Sequence, residues 1–268
     1  MSTTVQRPSL GVLHLGEGEK RFRLSRYAPS AEVSFFVRHY WIVSWDLTDQ
    51  EPYLQDVIPN PCVNLVIEKN KSGIYCPARK KFSYFLQGKG CVFGVKFKPG
   101  GFYPFLRQPI STFAQGEVSL GDAFDLDDET AERSIFALDD EGAMVEFAES
   151  FLRPKLPPRD ESVVLINRII EQIIEDREIT KVDDLCERFD LNKRKLQRIF
   201  DQYVGVSPKW VIQLYRIQNA AESLDQEDRQ PDWSQLSIDL GYYDQAHFIK
   251  DFKSIIGVTP VEYSRKKL

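Results

Sequence analysis

The chain predicts an α+β protein in two parts. A small β-barrel or sandwich with helices comes first, and an all-α pair of helix-turn-helix units follows. Three observations lead there. Between residues 33 and 97, short runs rich in aromatic and β-branched residues alternate with turn signals. At 153–160, RPKLPPRD places three prolines where no helix can continue. Beyond that break, LNKRKLQRIFDQYVGVSP (191–208) is echoed by YDQAHFIKDFKSIIGVTP (243–260) at a constant offset of 52.

Strands are expected at 33–45, 62–68 and 91–97. Turn signals separate them: Pro59-Asn60-Pro61, Lys71-Ser72-Gly73 and Lys98-Pro99-Gly100-Gly101. From 120 to 152 the pattern turns helical, with Ile135/Leu138 and Met144/Phe147/Ala148/Phe151 at spacings of three and four. Met144 to Leu152 could cover the barrel or form a dimer seam. The proline break divides the chain into 1–156 and 160–268.

After the break every element reads as helical. Ser162 can cap a helix whose inner side is Val163, Ile166, Ile169/Ile170 and Ile173/Ile174. Thr180 starts the next, with Asp183 three residues on in a capping-box relation. A tight turn falls at Asp190, Asn192 caps the following helix, and Gly205 stops it. Ser207-Pro208 opens a long connecting helix lined by Trp210, Val211, Leu214, Ile217, Ala221 and Leu224. Trp233, Leu236 and Leu240 form a scaffold helix ended by Gly241. Asp244 then caps the second copy, and Pro260 opens the last helix.

A chain of 268 residues accommodates two domains, and 42% apolar with 28% charged content is that of a globular protein. No run of about 18 apolar residues exists. MSTTVQRPSL lacks a secretory pattern, so a cytoplasmic location is expected. Cys62, Cys76, Cys91 and Cys186 fit no CxxC spacing and read as buried free thiols, Cys186 among them as core. The net charge of −5 argues against a general nucleic-acid binder. Even residues 159–268 hold 17 Lys/Arg against 20 Asp/Glu. Distribution matters more, because exposed charges are screened beyond about 8 Å. Residues 192–198 carry Lys193, Arg194, Lys195 and Arg198 with no acid. The second copy offers Lys250 and Lys253, then Arg265, Lys266 and Lys267, while acids gather at Asp225, Glu227 and Asp228. The pattern predicts a narrow basic face on an acidic body, with salt-dependent binding.

The repeated part resembles the AraC/XylS family of bacterial transcription regulators, over about 162–268. Leu185-Cys186, then Leu191-Asn192 through Leu196, Arg198 and Phe200, follow the pattern L-A…L-S-x-x-x-L-x-R-x-F. Pro208 to Leu224, with Arg216 and Ala220, follows the linker pattern. Leu240-Gly241-Tyr242, Asp244 to Lys253, and Gly257 to Tyr263 follow G-F-x-D-x-S-H-F-x-R-x-F-K and G-x-T-P-x-x-Y. The chain departs from the pattern at Asp190 (a turn glycine), Lys250 (an arginine), Trp233 (a smaller aliphatic) and Ser237 (an alanine). The first part resembles the sensor-type β domain found ahead of such units, through residues 36–41, 59–66 and 94–101.

The apolar sets Leu196/Ile199/Phe200 and Phe248/Ile249/Phe252 should face inward. That leaves Lys193, Arg194, Lys195, Gln197, Arg198 and Asp201 outward on one helix. On the other, Gln245, Ala246, His247, Lys250 and Lys253 face out. The resemblance implies that Arg194, Gln197, Arg198, Gln245, His247 and Lys250 face a groove of double-stranded DNA. Arg can bond guanine O6 and N7 together, Gln adenine N6 and N7, and the basic flanks hold phosphates. A plain solvated helix face would show the same polarity; the capped duplicate separates the two readings.

An enzyme fused to the DNA-binding part is the competing reading. A metal-dependent cupin needs several His and carboxylates on facing strands, and the first part has only His14 and His39. A zinc-thiolate repair site needs clustered cysteines, and Cys62, Cys76 and Cys91 are dispersed. No phosphate loop, nucleophile elbow or catalytic triad is present, so neither catalysis nor a cofactor is expected. Besides DNA, the expected partners are RNA polymerase, a small-molecule effector of the first part and a second copy of the chain. Phe35, Phe36, Tyr40, Trp41 and Trp45 read as core, or as the lining of an effector pocket.

Overall fold

The computed structural model describes residues 11–113, 118–226 and 232–265. A short helix α1 (Leu15–Gly18) precedes strands β1 (Arg23–Tyr27), β2 (Val37–Leu47), β3 (Tyr53–Val57), β4 (Asn64–Glu68), β5 (Gly73–Tyr75), β6 (Phe82–Leu86) and β7 (Gly88–Phe97). Five strands form an antiparallel sheet in the order β1-β2-β7-β4-β5, while β3 and β6 form a separate ribbon.

Side-chain alternation gives the sheet a dry face. Tyr40, Ile42, Leu65, Ile67, Phe93 and Val95 are all at most 1% exposed and share one core. The helices α2 (Tyr103–Leu106), α3 (Leu120–Phe124), α4 (Asp128–Phe136) and α5 (Glu141–Leu152) supply its other side. Phe124, Ile135, Met144, Val145, Ala148 and Leu152 belong to that core. The segment around Met144 therefore covers the sheet. On the opposite face the ribbon packs through Leu86, Tyr84 and Tyr53 against Leu47, Trp45 and Phe22. Of the expected barrel or sandwich, the closed barrel does not form and the layers stack as separate sheets. Among the described residues no ladder joins the ribbon to an edge of the sheet, so the sheets stay open.

Smaller corrections concern element ends. Residues Val33–Phe35 are a 3-10 turn, not strand, and β2 begins at Val37. Phe36 and Tyr40 are core, while Trp41 and Trp45 are half-buried.

After a 3-10 turn at Arg153–Lys155, the chain is helical: α6 (Glu161–Glu175), α7 (Val182–Arg188), α8 (Lys193–Tyr203), α9 (Pro208–Gln226), α10 (Trp233–Asp239), α11 (Gln245–Ile256) and α12 (Pro260–Arg265). Asp160, not Ser162, caps α6; its carboxylate accepts from the Ser162 amide at 2.8 Å. Ile174 lies on the exposed side of α6 rather than the inner one. Asp184, not Asp183, serves the start of α7, accepting from the Thr180 and Lys181 amides at 2.9 and 2.8 Å. The helix starts one residue later than expected: Lys181 is the N-cap and Asp184 stands at N3, the usual capping-box position.

Two cores meet along α9. Val211 and Ile212 join Ile166, Ile170, Leu185, Leu196 and Phe200, whereas Leu214, Ile217, Ala221 and Leu224 join Phe248, Phe252, Ile256 and Tyr263. Burying an apolar side chain of this size contributes about 1.5–3 kcal/mol, so α9 is held from both sides. Both cores also draw on the first part of the chain. Phe35 and Tyr103 pack against one, and Leu13 and Ile58 belong to the other. The seam has polar ties as well. Asn167 donates to the Pro99 carbonyl at 3.0 Å, and the Lys81 amide to the Ile255 carbonyl at 2.8 Å. His14 stacks on Tyr263 at 4.7 Å, and both contact the Asp225 carboxylate.

Gly205 sits in this seam at φ 83°. A Cβ there would lie 2.7 Å from the Ile110 Cγ2 and 3.1 Å from its carbonyl carbon. Left-handed backbone costs a non-glycine residue about 1–2 kcal/mol before any clash. Gly205→Ala is therefore expected to lower the unfolding free energy by at least about 1–2 kcal/mol in urea titration. A variant as stable as the parent would contradict the packing described here.

Candidate nucleic-acid interface

Each repeated unit is built by the same local chemistry. Asn192 is extended and its side-chain oxygen accepts from the Lys195 amide at 2.8 Å; Asp244 does the same for the His247 amide at 2.7 Å. These caps satisfy amides that would otherwise point into solvent without an intrahelical partner. Gly205 and Gly257 take left-handed φ at the far ends. Pro208 and Pro260 then open the next helices, with Ser207 and Thr259 hydroxyls accepting from the Trp210 and Glu262 amides.

The turns before the two helices are alike in bonding and unequal in length. In the first, Asp190 is left-handed at φ 50° and the Leu191 amide donates to the Cys186 carbonyl at 3.0 Å. In the second, Gly241 is left-handed at φ 72° and the Tyr242 amide donates to the Ser237 carbonyl at 2.9 Å. One residue, Leu191, separates the left-handed position from the cap in the first unit. Two, Tyr242 and Tyr243, do so in the second. Buried Tyr242 takes the packing role, so Tyr243 is pushed out and is 97% exposed. The offset of 52 conceals this insertion, because it aligns the helices and not the turns that precede them.

The inward sets are buried as the periodicity requires. Leu196, Phe200, Phe248 and Phe252 are wholly enclosed, Ile199 is buried and Ile249 half-buried. On α8, Lys193, Arg194, Lys195, Gln197, Arg198 and Asp201 are exposed. On α11, Ala246, His247, Lys250 and Lys253 are exposed and Gln245 is half-buried. The side chains of Arg194, Lys195, Arg198, Lys250 and Lys253 make no hydrogen bond or ion pair among the described residues. Lys266 and Lys267, with Glu227 and Asp228, lie outside the described residues.

Two members of the expected set are not free. Lys193 Nζ lies 2.6 Å from an Asp183 carboxylate oxygen, and that hydrogen bond and charge raise its pKa. Both partners are more than half exposed, so water and salt screen the pair. His247 Nε2 lies 3.5 Å from Asp251 on the next turn, and its ring meets the edge of Tyr242 at 5.2 Å. Tyr242 is in turn covered by the Arg216 guanidinium, 3.8 Å from its ring centre, and Arg216 Nε donates to the Leu240 carbonyl at 2.7 Å. Burial raises the Tyr242 pKa, the Arg216 charge opposes the rise and Asp251 adds to it, so the phenol stays neutral. Thus α9 reaches the second turn through Arg216 and orients the start of α11. Ser237 fits the scaffold position because its buried hydroxyl donates to the Ser234 carbonyl at 2.8 Å.

Cys62 is buried, whereas Cys76, Cys91 and Cys186 are half-buried, and all four are free. Cys186 packs at the margin of the first core. Among the described residues no three His, Cys, Asp or Glu side chains gather as metal ligands, and no helix is long and apolar enough to cross a membrane.

Residues 185–266 match a family described as a helix-turn-helix domain. This part of the chain is a helix-turn-helix domain of the AraC type. Residues 25–119 match a second family, described only as a domain of unknown function. An uncharacterized HTH-type transcriptional regulator of Haemophilus influenzae is 31% identical over 84 residues, which are 31% of this chain and 28% of that protein. The chain thus matches just over a quarter of the length of this relative. Among solved structures, ToxT of Vibrio cholerae aligns over 92% of this chain and 98% of its own, at 16% identity and a TM-score of 0.37. Unsaturated fatty acid bound wild-type ToxT aligns over 91% of each chain, at 16% identity and a TM-score of 0.38.

The caps make a local expectation. Asn192→Ala should destabilise α8 by about 0.5–2 kcal/mol, seen as faster hydrogen exchange at the Lys195 amide with little change at the Phe252 amide. Equal acceleration at both would mean that the two units do not open separately.

Proposed function

We propose that this protein is a sequence-specific, DNA-binding transcription regulator that reads two adjacent major grooves with α8 and α11. The observation that carries the proposal is a pairing of properties: both helices begin in capped turns that carry no acid after the cap, basic on α8 and polar on α11, yet both are anchored through their apolar faces to one connecting helix. Side chains free at the start of a helix and fixed at its base are what base reading in a groove requires.

In this reading Arg194, Gln197, Arg198, Gln245, His247 and Lys250 meet base edges. Lys193, Lys195, Ala246 and Lys253, together with the helix starts, lie along phosphates. Tyr243 joins them, since its exposure beside the Asp244 cap puts a hydroxyl donor at the entry of α11. The two grooves would lie about one turn, roughly 34 Å, apart, and the site is asymmetric because the two helices carry different residues. The protein acts by binding and not by catalysis, in the cytoplasm. Residues 1–156 form a regulatory part and 160–268 the DNA-binding part. RNA polymerase and a second copy of the chain are the further partners in this reading.

A gel-shift series with single-base variants tests it. Arg194→Ala and Gln197→Ala should each relax preference at one position, at about 1–3 kcal/mol, while Lys195→Ala weakens all sequences alike and lowers the salt slope by about one. Equal losses on every sequence for Arg194→Ala would refute base reading there. Asp183→Asn releases Lys193, so it should strengthen binding to every sequence and steepen the salt dependence. Unchanged binding would remove Lys193 from the phosphate contacts.

A further inference from the structure

The face of the five-stranded sheet opposite the first-part helices carries an unusual row. His39 on β2, Lys96 on β7 and Asn64 on β4 stand side by side, in the register His39↔Lys96 and Asn64↔Lys96. Lys96 is 8% exposed and His39 4%. A register irregularity between Val37 and His39 falls at Arg38, whose charge acts on His39, Lys96 and Lys98. The charge of Arg38 also acts on the half-buried Tyr215 of α9, and Cys62 acts on both Tyr215 and Lys96, which places these side chains close together. The row therefore abuts the helix that joins the two DNA-reading units.

Counter-charge is missing here. Lys96 and Arg38 make no ion pair with a carboxylate among the described residues. The acids nearby are committed elsewhere: Glu19 acts on Arg26 and Glu171 on Lys98, while Glu68, on the same face of β4, is held by Tyr84 and Lys71. Burial lowers the Lys96 pKa to about 8, with Cys62 opposing the fall and Arg38 and Arg26 adding to it, so the ammonium is still charged at pH 7. Burial, followed by Lys96, Arg26 and Arg38, lowers the His39 pKa to about 2, leaving the imidazole neutral. A buried cation persists in a folded protein when an anion compensates it, and among the described residues no carboxylate is paired with Lys96.

We propose that the seam between β2, β7 and α9 is a binding site for a small oxyanion, a carboxylate or a phosphate, held by Lys96 and Arg38 with the Tyr215 hydroxyl as a third donor. The Arg38 fork suits two oxygens of one group, and the Lys96 ammonium adds a point charge. Burial raises the Tyr215 pKa, which keeps its phenol protonated and able to donate. The anion would touch the sheet and the connecting helix at once. The site does not depend on the DNA reading, and its test involves no DNA.

Thermal unfolding of the full chain provides that test, at constant ionic strength with chloride as the balancing ion. Sodium phosphate or sodium acetate should raise Tm saturably, following RT ln(1 + [L]/Kd); which of the two does so assigns the oxyanion class. Lys96→Met should abolish the response and be more stable than the parent without added anion, because it removes an uncompensated buried charge. Arg38→Gln, at a half-buried position, should weaken binding about tenfold or more and serves if Lys96→Met does not fold. The proposal is overturned if neither anion raises Tm beyond chloride, or if the folded variants respond as the parent does.

Discussion

The arrangement depends on α9 being buried along both of its halves. Its first turns complete the core of the first helix-turn-helix unit and its later turns that of the second. Because each half of its apolar side is bound into a different core, the helix cannot rotate without opening one or the other. Interiors of this density transmit displacement rather than absorb it. The relative placement of α8 and α11 is therefore a property of one helix, and Arg216 extends that control to the turn before α11.

The same logic explains how a net-acidic chain can offer a basic surface. The ends of α8 and α11 that dock on the first part are apolar or hydrogen bonded: Tyr203 stacks on Tyr103 at 4.2 Å, Gly205 meets Ile110, and Ile255 accepts from Lys81. The opposite end of α8 holds its cations and is open to water, whereas Lys250 and Lys253 are exposed further along α11. Acids are kept off the open turns, except for Asp183 against Lys193 and Asp251 against His247. Because exposed charges fade within about 8 Å at physiological salt, this local segregation outweighs the total of −5.

Much of the C-terminal architecture is legible in the chain because its signals are local. A cap such as Asn192 or Asp244 acts within three residues, a left-handed glycine within one, and the apolar period within one turn. The caps and stops place these helices near 193–203 and 245–255, within one residue of the bounds found for α8 and α11. The N-terminal strands are less legible. β1, β3, β5 and β6 are short and mixed in polarity, and their partners are distant in sequence, so no local pattern identifies them. Closure into a barrel is likewise an edge-pairing decision, and an open sheet satisfied by helices has the same alternation.

By itself, then, the sequence determined the helix-turn-helix units, their caps and stops, and which side chains face outward, because each follows from the spacing of neighbours along one element. Only the tertiary structure decided that Asp183 holds Lys193, that Tyr243 is expelled beside its cap, and that Lys96 lies buried with no paired carboxylate among the described residues. Those outcomes arise where residues far apart in the chain compete for the same space or the same charge, and one-dimensional spacing carries no record of that competition.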